Sequence, residues 1–204
     1  MKASQPVASA PPADAPVQFV HIAPRRMLAV DGDGIPGGDE FQAALGALYP
    51  VAYGLHFALR SRGVDARVGA LEGLWWQPAD LAPGAVQPRP ADAGPWPWTL
   101  LLPIPVEATE TEVAGAVAGA RRKHPSAALD RLRIELLCEG DCAEVLHRGA
   151  YSAEGPTIAR LHAAIDAAGR VARGRHHEIY LGDPRRCAPE RLRTVIRQPV
   201  ARVA

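Results

Sequence analysis

Two short phrases of the chain place a glutamate inside an apolar segment beside large aromatic side chains. They are Leu71-Glu-Gly-Leu-Trp-Trp76 and His176-His-Glu-Ile-Tyr-Leu-Gly-Asp183. An ionised glutamate is almost never fully buried unless other groups compensate its charge. Each phrase is therefore more typical of a cleft wall than of a plain core. Because each half of the chain contains one phrase, we predict a small-molecule pocket assembled from both halves.

The second phrase is predicted to be a strand, and its alternation divides the side chains between two faces. Glu178 shares one face with His176 and Tyr180, whereas Ile179 and Leu181 share the other. The isoleucine and leucine face is the one expected to pack against helices. We therefore expect Glu178 to face a cavity or solvent, with Tyr180 and His176 beside it as ligand-binding residues.

The first phrase supplies a second carboxylate, Glu72, on the same predicted strand face as Trp76. If the two halves pack side by side, Glu72 and Glu178 are expected to approach one cleft. A cleft carboxylate beside aromatic rings can hold a cation. It can also act as a general base, because desolvation raises a carboxyl pKa toward the useful range. The alternative is that Glu178 pairs with an arginine on an exposed sheet face.

Aromatic residues outside these carboxylates complete the predicted pocket. All four tryptophans of the chain cluster around the proline-rich segment from Pro78 to Pro97: Trp75, Trp76 and Trp98 flank it, and Trp96 lies near its end. Indoles give large, flat contacts, so we predict that Trp75, Trp76 and Trp98 form an aromatic ligand wall. Core packing is the alternative for some of them. Tyr151 follows a predicted strand and could donate a hydrogen bond into the cleft.

Composition narrows the class of protein. The chain has 204 residues, 48% of them apolar, and a net charge of +1, so nucleic acid and anionic membranes are not expected as partners. We expect no transmembrane helix and no secretion signal. The three cysteines favour a reducing cytoplasm, and small apolar fillers are a better interpretation of Cys138 and Cys142 than a metal pair. No nucleotide or phosphate motif occurs, so we expect no cofactor.

The predicted domain organisation is a disordered tail over residues 1–24 followed by one domain over 25–204, in which the Pro78–Pro97 segment is an irregular connection. In chain order, the predicted strands are Met27–Asp31, Arg67–Trp76, Trp98–Ile104, Arg133–Cys138, Ala143–His147, His176–Leu181 and Arg191–Arg197. The predicted helices begin at a cap on Asp39, at a Thr109–Glu112 capping box and at Ser152. Pro50 is expected to kink the first of them.

This order contains an approximate repeat of strand, helix, strand, strand. The segments on either side of Glu139-Gly140-Asp141 are predicted to form a hairpin. The predicted fold class is α+β, with two pseudo-symmetric strand-helix-strand-strand modules that form an antiparallel sheet, helices on one face and a central ligand cleft.

Several motifs in series carry a resemblance to a known family. They are Leu71-Glu-Gly-Leu-Trp-Trp76, Trp96-Pro-Trp98, His147-Arg-Gly-Ala-Tyr151, Glu154, His176-His-Glu-Ile-Tyr-Leu-Gly-Asp-Pro184 and Thr194-Val-Ile-Arg-Gln-Pro-Val200. From about Met27 to Val200 the chain resembles the stand-alone GyrI-like (gyrase-inhibitor-like) small-molecule-binding proteins.

The resemblance implies a function as well as a fold. The most similar relatives include hydrolases of cyclopropane-bearing, DNA-alkylating natural products. The family's cleft glutamate corresponds to Glu178, and the tyrosine of its His-x-Gly-Pro-Tyr motif corresponds to Tyr151, although Ala150 replaces the proline. We therefore expect a cofactor-independent hydrolase with Glu178, Tyr151 and Glu72 as catalytic residues and an aromatic small molecule as ligand.

Two other functions remain open at the level of the sequence. The same cleft could bind or sequester aromatic or cationic molecules without chemistry, and tight binding without product would identify that case. The chain could also regulate a protein partner such as gyrase. A DNA-binding sensor is disfavoured because residues 1–24 are too short and too rich in proline for a helix-turn-helix unit. The oligomeric state is open.

Overall fold

The computed structural model describes residues 16–76 and 96–203. The strands are β1 (Gln18–Ile22), β2 (Arg25–Gly34), β3 (Leu71–Trp75), β4 (Trp96–Pro103), β5 (Arg133–Leu137), β6 (Gly140–Arg148), β7 (Arg170–Ala172), β8 (His176–Tyr180) and β9 (Arg193–Arg202). The helices are α1 (Asp39–Ser61), α2 (Glu110–Lys123), α3 (Ala127–Asp130) and α4 (Gly155–Ala167). Short 3-10 turns occupy Tyr151–Ala153 and Pro189–Arg191.

The strands form one antiparallel sheet in the order β1-β6-β9-β8-β3-β4-β2-β5, and β7 pairs with one end of β9. The half of the sheet nearest β5 contains the unit β2-α1-β3-β4, which we call the first module. The half nearest β1 contains the unit β6-α4-β8-β9, which we call the second module. The second module contributes its strands in the order β6-β9-β8, and the first module contributes the equivalent strands in the reverse order, β3-β4-β2. The modules meet where β8 pairs with β3, a pairing that we call the seam. The predicted α+β class with two strand-helix-strand-strand modules is confirmed.

A single row of opposed residues crosses the sheet on the face that carries the helices. In sheet order it runs Val145, Ile196, Glu178, Gly73, Leu100, Val30. Val145 and Ile196, at one end of the row, pack in a hydrophobic cluster with α4. Leu100 and Val30, at the other end, pack in a larger cluster with α1. Glu178 therefore interrupts an apolar row at the point where the modules meet.

Helix α1 covers the first module because its apolar residues recur at helical spacing. The buried positions are Phe41, Ala44, Ala47, Leu48, Val51, Ala52, Leu55 and Leu59. The helix continues through Pro50. The predicted cap at Asp39 is wrong: Gly38 is the N-cap residue, and Asp39 lies in the first turn, where its charge favours the helix dipole. The Thr109–Glu112 capping box that opens α2 is confirmed.

The predicted hairpin around Gly140 is wrong. Strand β5 pairs with β2 at one end of the sheet, and β6 pairs with β1 and β9 near the other. The short connection through Glu139 therefore bridges the two ends of a curled sheet instead of closing a hairpin. Gly140 serves this turn with a φ of +66°, which suits glycine.

The predicted disordered tail is wrong over Gln18–Ile22, which pair with Gly140–Glu144 as strand β1. Most of this strand's side chains are exposed, so it lacks the apolar alternation from which a strand can be predicted. Residues 1–15 lie outside the described residues, as does the proline-rich connection except for Trp96 and Pro97, which open β4.

The sheet encloses its other face by curling. Met27, Ala29, Leu74, Leu101 and Leu137 form a small apolar cluster there, all at most 6% exposed. Within the described part of the chain, no helix has the length and apolar character needed to cross a lipid bilayer.

Candidate functional site

Glu178 is buried in the middle of β8, on the helix-bearing face of the sheet. Its exposed fraction is 3%. Ile196 lies beside it on β9 and belongs to the cluster under α4, while Trp75 on β3 belongs to the cluster under α1. The glutamate thus lies at the junction of two apolar clusters. The prediction that helices pack on the Ile179 face is wrong, because the register places Glu178 on the helix face.

The carboxylate of Glu178 is held by hydrogen-bonding aromatic side chains. The Tyr180 hydroxyl donates to its Oε2 at 2.7 Å, and Trp75 Nε1 donates to that hydroxyl oxygen at 3.2 Å. His176 Nε2 lies 3.4 Å from Glu178 Oε1. The chain from Trp75 through Tyr180 to Glu178 crosses the seam, so residues of both modules orient the acid.

Gly73 provides the space for this arrangement. It lies directly opposite Glu178 in the register. A Cβ atom at Gly73 would lie 2.9 Å from Trp75 Nε1 and 3.0 Å from the Tyr180 hydroxyl oxygen. Any other residue would therefore displace the hydrogen-bonded pair that orients Glu178.

Tyr151, in the turn after β6, packs against Tyr180, the residue that bonds Glu178. Its ring lies edge-on to that of Tyr180, with 5.4 Å between the centroids. Burial, followed by the charges of Glu154 and Glu178, raises the pKa of Tyr151 to about 12. The phenol therefore stays protonated at neutral pH and is available as a hydrogen-bond donor.

The turn before Tyr151 is fixed by His147. Its Nε2 donates to the carbonyl of Ala150 at 3.2 Å, and its Nδ1 lies 3.0 Å from the Thr157 hydroxyl at the start of α4. Ala150 has a φ of −64°, the value that proline would enforce. The alanine therefore has a backbone φ that proline could also adopt at this position.

Tyr180 is the second phenol of the group, and its hydroxyl end is enclosed between Trp75 and Glu178. Burial and the adjacent carboxylate raise its pKa well above the ordinary value of 10.0. Glu154, at 4% exposure, is a further buried carboxylate whose charge raises the pKa of both phenols. Glu154 directly precedes α4. In the sequence, a glutamate at the start of an apolar helix is the signal that points to this residue.

The tryptophans do not share one pocket wall. Phe41 of α1 stacks on Trp75, with 6.4 Å between centroids, and meets Trp98 edge-on at 5.6 Å. Trp98 is 0% exposed in the cluster under α1, so its placement is that of a core residue rather than a ligand contact. Trp75 is 1% exposed, but its indole nitrogen reaches the Glu178 group.

Trp76 does not lie with Glu178. It follows β3, and Arg175 stacks over its ring with the guanidinium carbon 5.2 Å from the centroid. Arg175 also donates to Thr99 Oγ1, and Thr99 opposes Leu74 on the face away from the helices. Strand alternation therefore carries Trp76 to that face, which corrects its predicted place in the cleft.

The prediction that Glu72 and Glu178 approach one cleft is also wrong. Glu72 opposes Ile179, and Gly73 opposes Glu178, so the two carboxylates point to opposite faces of the sheet. Glu72 is 3% exposed and accepts both ends of the Arg25 guanidinium, at 2.9 and 2.7 Å. It belongs to a buried group of charges on the face away from the helices.

This group, which we call the ion network, contains Arg25, Glu72, Glu139, Glu144, His177 and Arg197. The ion network is not among the sites predicted from the sequence, although charged residues inside the apolar runs of β6 and β9 are a signal for it. Burial opposes the ionisation of Glu72 and Glu139. The neighbouring cations outweigh burial and lower the pKa of each to about 2.

Other parts of the described chain offer less chemistry. A groove of about 360 Å³ lies between α2 and β5, four strands from β8, and is open to solvent with no converging acidic or imidazole groups. No three His, Cys, Asp or Glu side chains within residues 16–76 and 96–203 are grouped to hold a metal ion.

Comparison with known proteins supports the same fold and a small-molecule function. The model of the GyrI-like small molecule binding domain family matches residues 105–201. The structure of an uncharacterized conserved protein from Listeria innocua is 31% identical, with a TM-score of 0.79 over 91% of this chain and 92% of that one. A structure described as a hydrolase from Listeria innocua is 31% identical, with a TM-score of 0.75 over 92% and 94%.

A more distant structure, the C-terminal domain of EcmrR, shares the fold at 10% identity, with a TM-score of 0.56 over 92% of this chain and 98% of that domain. No curated protein sequence matches the chain. The family match over residues 105–201 agrees with the shared fold of relatives that are 31% identical over more than nine-tenths of this chain. The chain belongs to the GyrI-like small-molecule-binding family.

Proposed function

We propose that this chain is a hydrolase that opens the cyclopropane ring of flat, aromatic, DNA-alkylating molecules by adding water, and so detoxifies them. The observation that carries the proposal is the Tyr180–Glu178 hydrogen bond of 2.7 Å at a junction between two apolar modules. A carboxylate with 3% exposure, oriented by the phenol of Tyr180, has the character of a general base in an aromatic site.

The proposed reaction begins with water near Glu178 and a cyclopropane conjugated to a ring carbonyl. Glu178 accepts a proton from the water as its oxygen bonds to the cyclopropane methylene carbon. The carbon–carbon bond breaks, and its electron pair moves into the ring to form a phenolate. Tyr151 donates a hydrogen bond to the oxygen that becomes negative. Protonation of the phenolate gives the phenol and regenerates the Glu178 carboxylate, so the product is the substrate plus one water.

Three further side chains serve this reaction. Trp75 and Tyr180 orient the base and offer aromatic edges to a flat ligand. His176, 3.4 Å from Glu178 Oε1, lies where it can exchange a proton with the carboxyl group. Glu72, Trp76 and Trp98 are assigned no direct contact with substrate, because of their positions in the fold.

The relatives support a hydrolytic reaction without naming a substrate. Two structures from Listeria innocua that are described as hydrolases share 31% and 30% identity with this chain over more than nine-tenths of its length. The cyclopropane-bearing substrate class comes from the motif resemblance of the Leu71–Trp76 and His176–Leu181 phrases, and it is the finer part of the proposal.

The test is to incubate the purified full-length protein with an aromatic compound that carries a cyclopropane conjugated to a ring carbonyl, and to follow the water adduct by mass spectrometry. We expect Glu178→Gln to lower the turnover rate by roughly 10²- to 10⁴-fold, as loss of a general base does. Glu190→Gln, at an exposed site, is the matched control and is expected to leave the rate unchanged. Equal rates for Glu178→Gln and the wild type would refute the assigned role.

The alternative function is binding without chemistry. A buried carboxylate beside aromatic rings favours this function because it attracts cationic aromatic ligands. Stoichiometric capture without a water adduct would identify it. In that case Glu178→Gln is expected to weaken binding of a flat aromatic cation more than binding of a neutral ligand of the same shape.

A further inference from the structure

His177, the neighbour of Glu178 in the sequence, points to the opposite face of the sheet and is 0% exposed. Its Nδ1 lies 2.7 Å from Glu139 Oε1, and its Nε2 lies 3.0 Å from Glu72 Oε2. Each ring nitrogen therefore has a carboxylate oxygen within 3.0 Å. Neutral imidazole has only one N–H donor. A carboxylate at each ring nitrogen therefore favours the doubly protonated imidazolium.

The charges of the six side chains that form the ion network balance only when His177 is protonated. Three carboxylates, Glu72, Glu139 and Glu144, face two guanidinium groups and this imidazole. With His177 neutral, the buried group would hold one uncompensated negative charge, which is costly away from water. Although burial opposes a charged imidazole, the charges of Glu139 and Glu72 outweigh it and raise the pKa of His177.

The contacts of His177 connect elements from both halves of the sheet. Glu72 belongs to β3 of the first module and is held in turn by Arg25 of β2. Glu139 belongs to the connection that bridges the ends of the sheet and receives Arg197 Nη1 of β9 at 2.7 Å.

The remaining charged groups lie around these contacts. Arg197 opposes His177 in the register and also bonds Glu144 of β6 at 2.5 Å. The Arg173 guanidinium donates to the backbone carbonyl of Glu139. His177 is thus held from β3, from the bridging connection and, through Glu139, from β9.

We propose that His177 is a positioning residue for Glu178: as an imidazolium tied to Glu72 and Glu139, it fixes the strand that presents the carboxylate on the other face. The proposal rests on the catalytic assignment of Glu178. Successive residues of a strand move together, so a shift of His177 within the network shifts Glu178 relative to Trp75 and Tyr151. Small displacements of this kind lower rates strongly without abolishing binding.

The experiment compares the wild type with His177→Gln and Glu72→Gln, using the full chain from pH 6 to pH 10. NMR of the imidazole groups measures the protonation of His177, and water-adduct formation from the cyclopropane compound gives kcat and KM. His56→Gln is the matched control, because His56 lies on α1 and its ring contacts the carbonyl of Ala66, outside the ion network.

We expect kcat of the wild type to fall at the pH where His177 loses its proton, with KM changing less. His177→Gln is expected to lower kcat roughly 10- to 100-fold and to remove that pH dependence. Glu72→Gln removes one attracting charge, so the NMR midpoint and the fall in kcat are expected to move together to lower pH. A midpoint that moves in Glu72→Gln without the fall in kcat would overturn the proposal, as would wild-type kcat in His177→Gln.

The design separates this proposal from the hydrolase assignment. If His177→Gln does not fold, the Glu72→Gln comparison decides. If the wild type forms no adduct, the hydrolase assignment fails, and binding of a phenanthridinium dye replaces kcat as the readout. A dye affinity that follows the His177 midpoint in the wild type and in Glu72→Gln supports positioning of Glu178. An affinity that is independent of that midpoint refutes it.

Discussion

The two faces of the β3–β8 seam both bury glutamates, but they surround them with different chemistry. On the face away from the helices, Glu72 accepts bidentate hydrogen bonds from Arg25. It lies within the ion network, which pairs three carboxylates with three cationic groups. On the helix face, Glu178 accepts a phenol hydrogen bond from Tyr180 beside the indole of Trp75.

This difference distinguishes a structural acid from a candidate base. The charge of Glu72 is fixed by cations, which lower its pKa to about 2 against the effect of burial, so it cannot accept a proton near neutral pH. Glu178, oriented by the phenol of Tyr180 at an apolar junction, is the carboxylate to which we assign proton exchange with a ligand. Depth of burial alone, 3% exposure in both cases, does not separate them.

The sharpest way to test the contrast is to break the ion network at Arg197, which joins Glu139 and Glu144. Arg197→Met leaves two buried carboxylates without this partner and is expected to lower the free energy of unfolding by about 3–5 kcal/mol. Arg62→Met, at a surface pair with Glu112, is the control and is expected to lower the free energy of unfolding far less, because solvent screens exposed ion pairs. Urea unfolding measures both. Equal losses in the two variants would show that the network is not structural.

The ion network also predicts that stability falls at both low and high pH. The pKa values of Glu72 and Glu139 are about 2 in the folded chain against an ordinary 4.5. Their stabilising contribution is present above about pH 4.5 and is lost as the pH falls toward 2, and it belongs to both carboxylates together because they share His177 as a partner. The pKa of His177 is raised above its ordinary 6.5, so its contribution is complete below about pH 6.5 and is lost as the pH rises through the folded pKa.

Unfolding free energies measured from pH 2 to pH 10 are therefore expected to reach a maximum between the acid limb, where the carboxylates become protonated, and the alkaline limb, where His177 loses its proton. In His177→Gln the alkaline loss that belongs to this residue should disappear while the acid limb remains. A wild-type curve with no decline on the alkaline side would contradict the charged state assigned to His177.

The smallest expected effect concerns the helix face. Gly73→Ala places a methyl group about where Trp75 Nε1 and the Tyr180 hydroxyl meet, at 2.9 and 3.0 Å. We expect a loss of about 1–3 kcal/mol in stability, as overpacking produces, together with slower turnover. Gly115→Ala in α2, where the new methyl meets no atom within 4 Å, is the control and is expected to stabilise by about 0.5–1 kcal/mol. Full activity in Gly73→Ala would show that the Trp75–Tyr180 contact does not orient Glu178.

The module pattern can be predicted from the sequence because it depends on local periodicity. Apolar spacing from Phe41 to Leu59 and the Thr109–Glu112 capping box are properties of neighbouring residues. Strand alternation likewise groups Tyr180 with Glu178 on one face from the sequence alone, and the contact between them is direct.

The pairing of strands cannot be predicted in the same way. Alternation assigns residues of one strand to two faces but does not give the register against the next strand, and a shift of one residue exchanges the faces. The predicted side of the sheet is therefore wrong for Glu72. The Glu139-Gly140-Asp141 turn signal is compatible with a hairpin, but the pairing of β5 with β2 and of β6 with β9 is decided by contacts far apart in the sequence.

A twofold axis drawn between the opposed residues Gly73 and Glu178 exchanges the two strands of the seam. That axis relates Glu72 to His177 and Trp75 to Tyr180, and each of these related pairs is in contact across the seam. Two identical copies of either module would instead set acid against acid, or imidazole against imidazole, in an enclosed space. The two modules therefore carry complementary residues at the seam, and a pair of identical modules could not reproduce these contacts. Because both modules belong to one polypeptide, each module always meets the other kind.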